Sequence, residues 1–404
     1  MEKTIVELFA GVGGFRLGFE RASKQWKTLW FSQWEPGKTK QWAHDCYVSH
    51  FGKPETLADF TNTDISQVNK ELIPDHNLLV GGFPCQDYSV AHGLNTEKGI
   101  QGKKGVLWWD IRDTLQAKNP KFVLLENVDR LLKSPSKQRG RDFGIMLSCF
   151  DSLGYSVEWR VINAADYGAG QKRRRTFIFA CKNDTVYSRN TYQTETENII
   201  SRNGFFAKTF PISQTENFSS IEFPTNDLAE LTDSFAFPFE NAGFMSNSRI
   251  STMKVKAQIE PPIILRNLLE QNVSEEFFLE GPVLEKWRYL KGSKKIERKT
   301  KDGFTYTFSE GAIPFPDNLD SPARTMLTSE ATTNRSSHII QDPQNDRFRI
   351  LTPIEAERIQ GFDDNWTNTG MPQKFRYFCM GNALVVPMIT RMARTLNKIF
   401  NQEP

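Results

Sequence analysis

The chain of 404 residues, 38% hydrophobic and 25% charged, is long enough for two or three domains and too ordinary in composition for wholesale disorder. Its 51 Lys and Arg against 48 Asp and Glu leave a formal charge of +3, which excludes a histone-like polybasic protein. A nucleic-acid binder is not excluded, because a binding face needs local charge only. The five scattered cysteines form no CxxC pair, no apolar run reaches membrane-spanning length, and MEKTIVELF shows neither a basic n-region nor a long apolar h-region. These features predict a reduced, cytoplasmic protein with no metal and no membrane association.

In chain order, Thr4–Phe9 reads as a buried strand, followed by glycines and an amphipathic helix over Phe15–Ala22. Leu29–Ser32 is a second strand and Lys38–His50 a helix. Leu78–Val80 is a third strand, Trp108–Ala117 a helix, and Phe122–Leu125 a fourth strand. Tyr155–Ile162 and Thr176–Cys181 add two more. Strands alternating with helices predict an α/β fold with a mainly parallel, doubly wound sheet.

The texture changes near Asp184. Residues 184–285 are rich in Asn, Thr, Ser and Phe, with weak periodicity, and carry 7 basic and 15 acidic residues. Lys286–Lys301 reverses the sign, with 8 basic and 1 acidic. Order resumes with helices at Pro353–Gln360 and after Pro387. The predicted plan is a catalytic domain over 1–183, an irregular insert over 184–345, and a segment over 346–404 that rejoins the first domain. The many Phe of the insert are expected to build a small core of its own.

Several residue patterns carry chemistry. Phe9–Gly14 (FAGVGG) between a strand and a helix is either a plain turn or one that brings backbone close to a ligand. It lacks the G-x-G-x-x-G spacing, which favours a smaller nucleoside-bearing ligand over a dinucleotide. Glu35 after the second strand could hold ribose hydroxyls, and Asp64 an exocyclic amine; either could equally be a surface acid. Cys85 stands in a Gly- and Pro-punctuated loop (GGFPCQDYS) at a strand's C-terminal end, where a nucleophile is more readily placed than in a core. Glu126, emerging from an apolar strand, should have a raised pKa and be able to donate to a ring nitrogen. In QKRRR, strand geometry would put Gln171, Arg173 and Arg175 on one face and Lys172 and Arg174 on the other. Arg130, Lys133, Lys137, Arg139 and Arg141 form a further basic cluster.

Taken in order, these motifs resemble the DNA (cytosine-5)-methyltransferase family, over about Thr4–Cys181 and Arg349–Leu396. The resemblance implies a Rossmann-like domain that binds S-adenosyl-L-methionine and releases S-adenosyl-L-homocysteine. It assigns the cofactor to Phe9, Gly11, Val12, Gly13, Gly14, Glu35, Asp64, Ile65, Pro84, Leu107 and Asn382. Here Trp34 precedes Glu35, where many members have a Trp after it, and Ala383 replaces a Ser. The catalytic residues implied are Cys85, Glu126, Arg173 and Arg175. Gln86, Ser89, Gln171, Thr325, Arg298 and Lys299 fall in DNA-contacting places, the insert serving as a target-recognition domain.

On that resemblance, Cys85 attacks C6 of a flipped-out cytosine, Glu126 contacts N3 and the 4-amino group, and Arg175 holds O2, with Arg173 supporting the loop and phosphate. Ser89 and the glycine-bearing loop from Ala91 to Lys104 would close over the base. The implied partner is double-stranded DNA, acted on by a bacterial monomer that shares a restriction–modification system with a cognate endonuclease without a stable complex. An oxidoreductase would explain only the first glycine turn, a non-catalytic DNA binder should lack Cys85 or Glu126, and a transfer-RNA enzyme should have a shorter insert.

Overall fold

The computed structural model describes residues 1–83, 107–225, 227–300 and 302–404. Among the described residues nine strands form the main sheet: β1 (Thr4–Leu8), β2 (Lys27–Ser32), β3 (Leu78–Gly82), β4 (Phe122–Val128), β5 (Tyr155–Asn163), β6 (Arg174–Lys182), β7 (Ile212–Glu222), β8 (Ala242–Ser246) and β9 (Arg249–Ala257), in the order β2-β1-β3-β4-β6-β5-β8-β9-β7. The pairs β2–β1, β1–β3 and β3–β4 are parallel, the doubly wound core expected from the sequence. From β4 through β6 to β7 every pairing is antiparallel.

Alternation along each strand divides the apolar side chains between two faces. Val6, Leu8, Leu79, Val123 and Leu125 pack under helices Leu107–Lys118 and Arg141–Ser152. Ile5, Leu78, Val80, Phe122 and Leu124 pack with Phe15 and Phe19 of helix Gly14–Ala22 and with Ile389, Met392 and Leu396 of helix Val386–Phe400. The last helix thus returns to the first. Their contact is close because Gly18 has no side chain: a Cβ there would lie 2.6 Å from that of Ile389.

Phe244 packs in a small cluster of the insert's own, with Ile199, Ile200, Ala242, Met253 and Val255, whereas six other phenylalanines join the two faces of the catalytic sheet. Phe205, Phe206 and Phe210 are buried with the last helix, and Phe235, Phe237 and Phe239 fill the opposite face of the sheet. The cause is that β8 pairs with β5, so β8, β9 and β7 extend the catalytic sheet and share its faces.

Residues beyond 258 are built differently. A third core joins Val12 and Leu17 to Leu265, Ala323, Met326, Ile340, Ala356 and Met380, linking the first turn to the later insert and the C-terminal segment. Two small hairpins, β10 (Lys294–Lys299) with β11 (Thr305–Glu310) and β12 (Ile339–Gln341) with β13 (Phe348–Ile350), complete it. No helix among the described residues is long and apolar enough to cross a membrane.

Candidate active site

The C-terminal ends of β1, β2, β3 and β4 carry the residues of interest. After β1, Phe9 (φ 57°), Gly11 (57°) and Gly13 (88°) have left-handed backbone, uncommon for Phe, and fold the chain sharply into helix Gly14–Ala22. At Gly13 a side chain is excluded by space as well, since a Cβ would sit 2.5 Å from the Phe51 ring. The Gly11 amide donates to Gln33 Oε1 at 2.7 Å, and Val12 is buried.

Glu35 follows β2. Gln41 braces it from both sides, accepting from the Glu35 amide at 2.7 Å and donating to its carbonyl at 2.9 Å. Burial raises the Glu35 pKa, against the lowering influence of Lys38 and the Ala43 amide. Its Oε2 is buried with no hydrogen-bond partner among the described residues. A buried acceptor in that state calls for a donor, and a diol beside a sharp glycine turn supplies one, so the residues fit a nucleoside-bearing ligand. Asp64 caps the short turn Ile65–Gln67, accepting from the Ser66 amide at 3.0 Å and its hydroxyl at 2.9 Å, with Ile65 buried beneath. Leu107 opens its helix half-buried against the core.

Between β3 and β4, Gly82 pairs with Glu126, and a Cβ on Gly82 would come within 3.2 Å of Glu126 Oε2. The strand β4 continues to Val128, so Glu126 and Asn127 lie within it rather than after it. Glu126 Oε1 is 2.7 Å from Arg175 Nε. Desolvation raises the Glu126 pKa, opposed by Arg175 and then Arg173, as the apolar strand before it led one to expect. Asn127, fully buried, donates to the Phe83 carbonyl at 2.9 Å, fixing the last residue before Pro84. Pro84, Cys85, Gln86, Ser89 and the loop 91–104 lie outside the described residues.

The QKRRR run divides its labour. Arg175 meets Glu126, whereas Arg173 is 2% exposed and donates to the Met326 carbonyl at 3.0 Å and the Gly381 carbonyl at 2.8 Å. Burial lowers its pKa to about 9, Arg175 adding to the effect and Glu126 opposing it. Gln171 accepts from the Met326 amide at 2.9 Å, and the Thr325 hydroxyl donates to the Lys172 carbonyl. Gln171 and Arg173 therefore grip the insert backbone rather than open space. Arg174 points away, 3.2 Å from Asp129.

Asn382 ends helix Gln373–Asn382 exposed. Two residues on, Leu384 comes against both Gly14 and Gly82, joining the glycine turn to the end of β3. Arg298 and Lys299 lie on the exposed β10, with the Arg298 guanidinium 3.8 Å from the Phe308 ring centroid. Sequence reasoning missed Gln33, Gln41 and Leu384 as site residues. Gln41 carries no motif signal, whereas Leu384 directly follows Asn382 and Ala383, which the resemblance names.

A mainly parallel α/β core, a glycine turn leading into a helix, and a carboxylate–guanidinium pair at the same sheet edge define a Rossmann-like enzyme. The chain belongs to the C-5 cytosine-specific DNA methylase family, whose profile matches residues 3–398, and is a DNA (cytosine-5)-methyltransferase. It is 51% identical to the type II methyltransferase M.Sau3AI of Staphylococcus aureus over 400 residues, 98% of this chain and 95% of that one. The type II methyltransferase M.HhaI of Haemophilus parahaemolyticus is 36% identical over 180 residues, 44% of this chain and 49% of that one. Among solved structures, the Schizosaccharomyces pombe (S. pombe) Dnmt2 methyltransferase shares the fold with a TM-score of 0.60 at 14% identity, covering 98% of this chain and 99% of that one.

Proposed function

We propose that the enzyme methylates C5 of a flipped-out cytosine in double-stranded DNA, through a covalent bond between Cys85 and C6, and protects DNA in a restriction–modification system with a separate endonuclease. The observation that carries this reading is the Glu126–Arg175 pair at 2.7 Å, beside the Phe83 carbonyl that leads into Pro84–Cys85.

Phe9, Gly11, Val12, Gly13, Gly14, Glu35, Asp64, Ile65, Pro84, Leu107 and Asn382 are the residues proposed to hold S-adenosyl-L-methionine, with the unpartnered Glu35 oxygen as the ribose acceptor. The cofactor supplies an electrophilic methyl group when bound. The Cys85 thiolate adds to C6, which makes C5 enamine-like. Glu126, with one oxygen on Arg175, offers the other to N3 and the 4-amino group of the base. After methylation the C5 proton is lost and the sulfur leaves by β-elimination. Arg173 supports this site by holding Met326 and Gly381, the role of a positioning residue.

The division into 1–183, 184–345 and 346–404 is retained as a functional proposal, with one refinement. Because β7, β8 and β9 extend the sheet, duplex recognition falls to the later insert. Thr325 beside Gln171, and Arg298 and Lys299 on the β10–β11 hairpin, are its proposed contacts, with Gln86 and Ser89 proposed as further DNA-contacting residues. The enzyme is proposed to act as a cytoplasmic monomer.

Methyl transfer from labelled cofactor to duplex DNA tests the reading. Wild type should label DNA and not transfer RNA. Cys85→Ala should lose more than about a thousandfold in rate, the scale of losing a nucleophile, while keeping DNA affinity. Substantial turnover in a clean Cys85→Ala preparation would overturn it.

A further inference from the structure

The turn Phe9–Gly14 is held from a residue 354 positions away in sequence. Trp366, 6% exposed, donates its indole Nε1–H to the Val12 carbonyl at 2.8 Å. Its ring lies flat on His50, with centroids 3.6 Å apart and planes within 6°. His50 Nε2 is 2.7 Å from the Trp366 carbonyl, and the Cys46 thiol reaches the same carbonyl at 3.4 Å. The next residue, Thr367, is fixed through its amide to Glu357 Oε1 at 2.9 Å, and Arg376 reaches that same oxygen at 2.8 Å. The indole is thus held on its face, at its backbone and at its neighbour, and its one polar hydrogen is aimed at the peptide between two left-handed glycines.

Helix Trp42–Phe51 serves both ends of this arrangement. It supplies His50 beneath the indole and Phe51 against Gly13. Phe362, beside Trp366, lies 3.4 Å from where a Gly14 side chain would begin. A glycine-rich turn is conformationally permissive. Pinning one of its carbonyls to a rigid aromatic stack limits the orientations that the flanking Gly11 and Gly13 amides can take.

We propose that Trp366 is a positioning residue of the cofactor site, ordering the Phe9–Gly14 turn for S-adenosyl-L-methionine through its indole N–H on the Val12 carbonyl. The inference rests on the reading of that turn as the cofactor turn. The chemistry is preorganisation: a turn already in its binding shape loses less freedom when the ligand arrives. Trp366 touches no reacting atom, so its removal should weaken cofactor binding and leave DNA binding alone.

The test is Trp366→Phe, which keeps an aromatic ring on His50 and deletes the N–H. Calorimetry with S-adenosyl-L-homocysteine should show Kd raised about three- to tenfold, the scale of one buried hydrogen bond, with duplex DNA affinity within about twofold of wild type. In the ligand-free protein, amide exchange at Gly11 and Gly13 should quicken. A folded Trp366→Phe protein with unchanged cofactor affinity, or with cofactor and DNA affinity weakened alike, overturns the inference. If Trp366→Phe does not fold, His50→Gln takes its place, removing the ring beneath the indole. Cofactor Kd should then rise at least about twofold, and an unchanged Kd overturns the proposal. A wild-type protein that binds no S-adenosyl-L-homocysteine would instead refute the cofactor reading itself.

Discussion

Glu7 shows what burial does to a single carboxyl two residues before the Phe9–Gly14 turn. It lies in β1 at 0% exposure, with Oε2 accepting from the Tyr47 hydroxyl at 3.0 Å. Burial pushes its pKa from 4.5 up to about 8, with the Tyr47 hydrogen bond and Arg16 opposing. A raised folded-state pKa means that the folded protein binds the proton more tightly than the unfolded chain. The resulting stabilisation is complete below about pH 4.5 and is lost as pH rises through about 8. Glu7→Gln keeps an acceptor for Tyr47 and removes the titration. Urea unfolding across pH 5 to 8 should therefore show a downward slope in wild type relative to Glu7→Gln; parallel profiles would contradict it. At this scale the sequence was legible where strand alternation governs. It foresaw the raised Glu126 pKa and the opposite directions of Arg174 and Arg175, whereas Gln171 and Arg173 precede β6 and are not ordered by its alternation. It gave no sign that Arg173 serves two backbone carbonyls, because those partners, Met326 and Gly381, are fixed only by the fold.

Elements meet where side chains are missing. Gly18 lets helix Gly14–Ala22 lie directly on helix Val386–Phe400, since a Cβ would meet Ile389 Cβ and Cγ2 at 2.6 Å and the Thr390 amide at 3.2 Å. Helix propensity alone favours Gly18→Ala by roughly 1 kcal/mol. The clash argues the other way, and overpacking of this kind costs about 1–3 kcal/mol. We expect the clash to win, with a lowered urea midpoint; an unchanged or raised midpoint would show that the helices part freely. The strands β1 to β6 were readable as short apolar runs between turn signals, with ends shifted by a few residues. The strand β7 was not, because it is an edge strand with most side chains exposed and irregular register near Glu216 and Ser219. The segment 323–326 was readable only as a resemblance. Its place beside 170–173, through Lys172 to Ala323 and Ala323 to Gly170 bonds at 2.8 Å, depends on the fold.

Across the whole molecule the charge of +3 conceals an uneven distribution. Some of the basic charge is used internally, with Arg173 on backbone, Arg175 on Glu126 and Arg141 on Asp142, while Arg174 stays exposed beside Asp129. The β10–β11 hairpin differs, with Lys295, Arg298 and Lys299 exposed beside exposed Phe304 and Tyr306. A two-stranded ribbon of this kind matches the width of the DNA major groove. If Arg298 and Lys299 meet phosphates, replacing both by Ala should lower the slope of log affinity against log salt by about one to two units. An unchanged slope would remove the hairpin from the contact surface.

Covalent catalysis by Cys85 is open to direct trapping. With duplex DNA carrying 5-fluorocytosine at the target position and S-adenosyl-L-methionine present, C5 has no proton to lose and β-elimination is blocked. A denaturation-resistant protein–DNA adduct should form, with its link mapped to Cys85, and should be absent from Cys85→Ala and from reactions without cofactor. Turnover without an adduct, or an adduct on another cysteine, would contradict it.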